Sequence, residues 1–165
     1  MHHMGVEIER KFLVANDGWR VGADGGTPMV QAYLHITEAC SVRVRRQGDE
    51  ARLTIKGGNG TIERQEFEYA IPVADAEAMI ASLCMRPVLS KRRFKVPVGR
   101  HVWEVDVFEA DNAGLVVAEV ELTSVEEAFE RPAWVGEEVS DDPRYLNASL
   151  VSAPWPTWGS GEPDR

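Results

Sequence analysis

Val6-Glu7-Ile8-Glu9-Arg10-Lys11-Phe12-Leu13-Val14 opens the readable part of the chain. Side chains alternate across a strand, so Glu7, Glu9 and Lys11 share one face of it and Val6, Ile8 and Phe12 the other. The same period of two returns from Met29 to Ile36, Ser41 to Gln47, Glu50 to Lys56, Ile62 to Ile71, Leu89 to Val98, Val102 to Glu109 and Leu115 to Thr123. Turn residues stand between these runs at Gly48-Asp49, Gly57-Gly58-Asn59-Gly60, Gly99-Arg100 and Asn112-Ala113-Gly114. Eight strands follow from this reading.

Helical spacing of Ala76, Met79, Ile80 and Leu83 predicts one amphipathic helix over Val73 to Met85, with Asp75 and Glu77 near its positive end. A short acidic segment runs from Glu126 to Glu130, and a last helix is expected around Asp142 to Val151. The folded unit is read as residues 4–151. Residues 152–165, with Pro154-Trp155-Pro156 and Gly159-Ser160-Gly161, read as a flexible tail, and residues 1–3, ahead of a second methionine, as an artificial leader.

One strand with a charged face is what any half-solvated antiparallel sheet displays. Here the charge repeats on seven strands: Arg43 and Arg45; Arg52 and Lys56; Arg64, Glu66 and Glu68; Lys91, Arg93 and Lys95; Glu104 and Asp106; Glu119 and Glu121 follow Glu7, Glu9 and Lys11. The opposite faces are apolar. Eight strands are about enough to close a small barrel that holds one ligand. The expected fold is therefore mainly β (α+β): a closed eight-stranded antiparallel barrel with a few flanking helices and a charged interior. Lys and Arg suit a polyanion, because guanidinium groups pair with phosphate oxygens, and the carboxylates suit a hard divalent cation. Lys95 and Glu104, near strand ends, can simply face water, and Arg52 and Arg64 can form ordinary cross-strand ion pairs.

The whole chain narrows the partners. At 165 residues with net charge −9 and pI near 5.0, it lacks the positive field of a general nucleic-acid or acidic-membrane binder. No apolar run is long enough for a membrane span. Cys40 and Cys84 are isolated, which excludes a zinc or disulfide framework and suits a cytoplasmic protein.

Glu7-Ile8-Glu9-Arg10-Lys11 resembles the ExExK signature of the CYTH family, the triphosphate tunnel metalloenzymes. The likeness continues through Val42-Arg43-Val44-Arg45, Leu53-Thr54-Ile55-Lys56-Gly57, Glu66-Phe67-Glu68, Lys91-Arg92-Arg93, Trp103-Glu104-Val105-Asp106-Val107-Phe108 and Ala118-Glu119-Val120-Glu121-Leu122. Trp134, Gly136-Glu137-Glu138-Val139 and Arg144-Tyr145 resemble the short bacterial branch, some of whose members hydrolyse inorganic triphosphate. Ala32 departs from the glycine expected there.

The resemblance implies that Glu7, Glu9, Glu119 and Glu121 hold Mg²⁺ or Mn²⁺, with Glu68 or Asp106 at a second metal. It implies that Lys11, Arg43, Arg45, Lys56, Lys91 and Arg93 contact the phosphates, and that Tyr33 lies near the tunnel. Lys11, Tyr33, Glu68 and Asp106 become the candidates for the chemistry. The expected activity is metal-dependent cleavage of inorganic triphosphate to pyrophosphate and phosphate. The alternatives are a class IV adenylyl cyclase, a thiamine triphosphatase, or a binding module without turnover. The segments expected to flank the mouths, Asn16 to Pro28 and Gly57 to Gly60, offer only Trp19 as a stacking surface, and Trp19 can equally anchor a core. The apolar outer faces leave room for a homodimer.

Overall fold

The structure, a computed structural model, describes residues 5–58 and 62–155. Among them nine strands form one antiparallel sheet: β1 (Gly5–Val14), β2 (Thr27–Ile36), β3 (Cys40–Gln47), β4 (Glu50–Gly57), β5 (Glu63–Ile71), β6 (Leu89–Val98), β7 (His101–Glu109), β8 (Val116–Glu121) and β9 (Val135–Glu138). Two α-helices accompany them, α1 (Val73–Ser82) and α2 (Asn147–Ser152). The order β5-β4-β3-β2-β6-β7-β8-β1 returns on itself because β1 also pairs with β5. Eight strands thus close the expected barrel, and β9 is an addition to it.

β9 has a definite task. One edge of β1 runs along β8 from Glu9 to Leu13, while the other pairs with β5 only from Gly5 to Ile8. Past Glu9 that second edge would be bare. β9 takes it over, with Phe12 opposite Glu138 and Val14 opposite Val135, and Val139 N–H donates to the Lys11 carbonyl at 2.8 Å. Between the two partners, Lys11 N–H donates to Ser140 Oγ at 2.9 Å. A bidentate contact of Arg10 with Glu138, at 2.8 and 2.9 Å, fixes the added strand from outside.

Outside the barrel the apolar faces are largely covered by the chain itself. Ile8, Phe12, Trp103, Val105 and Val120 form a core with Trp19, Leu122 and Trp134, and Phe129 packs edge-on to Phe12 and Trp103. Trp19, 1% exposed, belongs to a 3-10 turn over Asp17–Gly22 and stacks against Phe94. It is a core anchor. α1 covers Val44 and Ala51 through Ala76, with Met79 and Ile80 packed alongside. Open apolar side chains remain on β5, where Phe67 is 42% and Tyr69 55% exposed, and on β7 at Val102.

Inside, one end of the barrel is filled. Tyr33, Leu89, Phe108 and Val117 cluster with Leu150 and Val151 of α2, so the short C-terminal helix plugs that end with apolar side chains. Asn112, 1% exposed, ties it in place: its amide donates to the Leu150 carbonyl at 3.4 Å and accepts from Trp155 N–H at 2.7 Å. Gly114, with φ +101, lies under the Trp155 ring, which a Cβ would meet at 2.9 Å.

Helix ends differ from the periodicity. α1 stops at Ser82 because the N–H groups of Leu83 and Cys84 both turn to the Met79 carbonyl, and Met85 N–H goes to Tyr33. The expected last helix splits into a 3-10 turn at Pro143–Tyr145, capped by Asp142, and α2. Asn59 and Gly60 of the expected mouth segment, residues 1–4, and residues 156–165 of the expected tail lie outside the described residues. No helix among the described residues is long and apolar enough to cross a membrane.

Candidate active site

The inward faces of the strands enclose a cavity of about 180 Å³. Its wall carries Glu7, Glu9, Lys11, Tyr33, Arg43, Arg45, Lys56, Glu68, Arg93, Glu119 and Glu121, and Leu146, Asn147 and Ala148 close the plugged end. At the other end it opens into a mouth of about 460 Å³ lined by Arg45, Gln47, Glu50, Arg52, Glu68, Arg93, Lys95 and Glu104. A side cleft of about 20 Å³ reaches Glu7, Glu9, Lys11 and Arg64 where β1 passes from β5 to β9.

Register decides which groups meet. Glu9 lies opposite Glu121 and Lys11 opposite Glu119 across β1 and β8, while Glu7 lies opposite Arg64 across β1 and β5. Lys56 Nζ is 3.0 Å from Glu7 and 3.7 Å from Glu66. Lys11 Nζ is 3.4 Å from Glu119 and donates to the Tyr145 carbonyl at 2.9 Å. Arg45 lies 3.6 Å from Glu68, which also accepts from Thr54 Oγ1 at 3.2 Å. Among the described residues Arg43 donates only to Thr54, at 3.4 Å, and its Nε is buried without a hydrogen-bond partner. A buried donor of that kind gains from an acceptor that a ligand brings.

The wall shifts its own titrations. Burial would raise Glu7, but the Lys56 ammonium, with Arg64 and Arg43 beyond it, overrides burial and holds the carboxyl at about 2. Glu9 goes the other way. Burial, then the neighbouring Glu119 and Glu7 carboxylates, push it well above the usual carboxylate range, against the weaker pull of Lys56 and Lys11. Arg45 is lowered to about 10 by burial and by Arg43 and Arg93. The cavity thus holds an excess of positive charge beside Arg45 and an excess of negative charge beside Glu9.

Two candidates sit behind the wall. Lys91 and Asp106, each 1% exposed, face each other at 2.7 Å and do not line the main cavity. Asp106 also accepts from Arg93 Nε at 2.7 Å and Nη2 at 2.9 Å, so both its oxygens are engaged. Arg93 in turn reaches Glu104 at 3.0 Å and Glu119 at 3.3 Å. Strand alternation gives the face of a residue but not its depth, and the depth here comes from Phe108 across from Lys91. Arg64 and Glu66 line the cavity although neither stood among the candidates; their positions four and two residues before Glu68 on one strand were the signal. The contribution of the Leu146–Ala148 turn had no such signal.

Among the described residues, no three His, Cys, Asp or Glu side chains converge closely enough to hold a metal as they stand. The reason is visible in the pairs above, where Glu7, Glu68, Glu119 and Asp106 each lean on a lysine or arginine. The donor set itself fits a hard divalent ion. Glu7, Glu9, Glu119 and Glu121 offer carboxylate oxygens from two paired strands, and the repulsion that adds to burial in driving Glu9 upward is what a cation between them would relieve.

A model of the CYTH domain matches residues 5–152. The chain belongs to the CYTH family. Over 152 residues it is 44% identical to an inorganic triphosphatase of Acetivibrio thermocellus, covering 92% of this chain and 97% of the relative. Over 151 residues it is 40% identical to an inorganic triphosphatase of Nitrosomonas europaea, covering 88% and 97%. Among solved structures, a crystal structure of an inorganic triphosphatase matches with TM-score 0.62 and 35% identity, covering 87% of this CYTH chain and 96% of the other. The barrel strands and the plugging helix both fall inside the matched CYTH residues.

Proposed function

We propose that this protein is a divalent-metal-dependent triphosphatase that converts inorganic triphosphate and water to pyrophosphate and phosphate. The observation that carries the reading is a barrel cavity with too much positive charge at Arg43 and Arg45 and too much negative charge at Glu9. A polyanion satisfies the first excess and a hard cation the second. The family and the two relatives named inorganic triphosphatase support the same reading.

In this reading Arg43 and Arg45 on β3, Lys56 on β4 and Arg93 on β6 hold the phosphate chain. Arg93 is aimed by Asp106, whose two oxygens grip its Nε and Nη2, and Lys91 neutralises the back of that carboxylate. Glu7, Glu9, Glu119 and Glu121 would hold Mg²⁺ or Mn²⁺, which when bound would neutralise charge on the phosphate oxygens and make a water more acidic. Glu68, at the junction of cavity and mouth, takes a proton from the attacking water as its oxygen forms a bond to the terminal phosphorus. The bond to the bridging oxygen breaks in line, leaving pyrophosphate, while Arg93 and Lys11 stabilise the charge that shifts onto it. Tyr33 walls the plugged end and excludes water there.

Cys40 and Cys84 are both free, which suits a cytoplasmic enzyme. A homodimer would use the exposed Phe67 and Tyr69 face of β5.

Incubating the purified protein with inorganic triphosphate and either metal, and separating the products, tests the function. One phosphate and one pyrophosphate per triphosphate, strictly dependent on added metal, is the expected result. No turnover with either metal would overturn it.

A further inference from the structure

Lys11 is held at both ends by one stretch of the C-terminal chain, residues 139–145. At its backbone, Val139 N–H donates to the Lys11 carbonyl at 2.8 Å, and Lys11 N–H donates to Ser140 Oγ at 2.9 Å. At its tip, Nζ donates to the Tyr145 carbonyl at 2.9 Å and lies 3.4 Å from Glu119. Between these anchors the stretch is tied to itself, with Asp142 N–H on the Val139 carbonyl at 3.0 Å and Tyr145 N–H on the Asp142 carbonyl at 3.1 Å. The resting place of the ammonium is therefore fixed relative to Ser140.

The Ser140 contact breaks the pattern of its edge. Along that side of β1, Glu9 N–H donates to the Ile62 carbonyl at 2.9 Å and Ala15 N–H to the Trp134 carbonyl at 2.8 Å, so main-chain oxygens serve before and after. Lys11 falls in the gap between β5 and β9, where the side cleft passes Ile62 and Ser140, and a side-chain oxygen takes the place of a main-chain one. A hydroxyl has one proton to give, and this one goes to Glu138 Oε2 at 2.7 Å rather than to the Lys11 carbonyl at 3.4 Å, leaving the oxygen to accept. Glu138 is itself gripped on both oxygens by Arg10. One serine thus joins an outer ion pair to a cavity lysine.

We propose that Ser140 is a positioning residue for turnover, fixing the β1 backbone at Lys11 so that the ammonium meets the charge developing on the leaving pyrophosphate. This rests on the triphosphate reading above. Ser140 does not belong to the wall of the main cavity, and its influence passes through Lys11. Its loss should weigh on the transition state more than on substrate binding, because Arg43, Arg45, Lys56 and Arg93 keep their hold on the bound chain.

The test compares wild type, Ser140→Ala and Ser140→Thr by steady-state triphosphatase kinetics with Mg²⁺ and by crystal structures of the three proteins. In Ser140→Ala, kcat should fall about ten- to a hundredfold while KM stays within about threefold, the mark of a misplaced group rather than a lost binding contact. Threonine keeps the hydroxyl and should restore most of kcat. In the crystals, Lys11 Nζ should leave the Tyr145 carbonyl in the alanine variant and stay on it in the threonine variant. Unchanged kcat in Ser140→Ala, a rise in KM alone, or a loss of kcat with Lys11 still on Tyr145 would each overturn the proposal. Should Ser140→Ala not fold, Ser140→Cys, of similar size but with a poor acceptor, is read by the same outcomes. A wild type without turnover overturns the triphosphate reading and the kinetic role together, whereas the crystals still decide whether Ser140 places Lys11.

Discussion

Glu7 and Glu9 are two positions apart on one strand and face one cavity, yet they are driven in opposite directions. For Glu7, folding lowers the carboxyl to about 2 from an ordinary 4.5, so its stabilisation is complete above 4.5 and is lost as pH falls from 4.5 towards 2. For Glu9, burial and two like charges raise the carboxyl, so the folded state binds a proton that the unfolded state has released, and stability falls as pH rises above 4.5. Carboxylates crowded together in this way should strain the fold. Glu9→Gln should therefore abolish metal-dependent turnover while raising the melting temperature of the metal-free protein at pH 7, by about 2–4 °C for each ~1 kcal/mol of repulsion removed. The advantage should vanish below pH 4.5, where wild-type Glu9 is protonated in both states. Thermal melts in chelator across that range check it, and a variant that melts lower than wild type at pH 7 would sink it. The facing of these residues was legible from alternation alone. Their opposed titrations were not, because they depend on which carboxylate Lys56 reaches.

At the scale of elements, the sequence displays what repeats and hides what occurs once. Eight strands share a period of two and are bounded by Gly-rich turns, so their faces and the mixed charge inside them could be read directly. β9 spans only Val135–Glu138, too short for an alternation to register, and it exists because β5 leaves half of one β1 edge bare. α2 is six residues long, and its importance lies in Leu150 and Val151 meeting Tyr33, Leu89 and Phe108 from distant strands. No local periodicity encodes that contact. Leu150 is fully buried, so Leu150→Ala should cost about 2–5 kcal/mol by urea denaturation. Val21→Ala, at a side chain 93% exposed, should stay within about 0.5 kcal/mol. If both variants unfold at the same urea concentration, the helix is not part of the barrel core.

For the whole molecule, the closure of one end decides which triphosphates can be processed. An adenylyl cyclase has to hold adenine and ribose so that the 3′ hydroxyl lies in line with the α-phosphorus, which requires an organised pocket for the base. Trp19, the one stacking surface that the sequence offered near a mouth, is buried outside the barrel against Phe94. The plugged end is filled by Tyr33, Phe108, Leu150 and Val151 and leaves no room for a nucleoside. At the open end the lining consists of Arg45, Gln47, Glu50, Arg52, Glu68, Arg93, Lys95 and Glu104, without an aromatic ring. A nucleotide can therefore enter only with its phosphates first and its base left in the mouth, unstacked. Inorganic triphosphate needs no such accommodation, since it has no base or sugar to place. It should be hydrolysed far faster than ATP, and ATP should be cut at its terminal phosphate to ADP and phosphate. Chromatography of the products formed from ATP with Mn²⁺ distinguishes the two chemistries, because cyclic AMP and pyrophosphate as main products would require a base-holding geometry that this mouth does not possess.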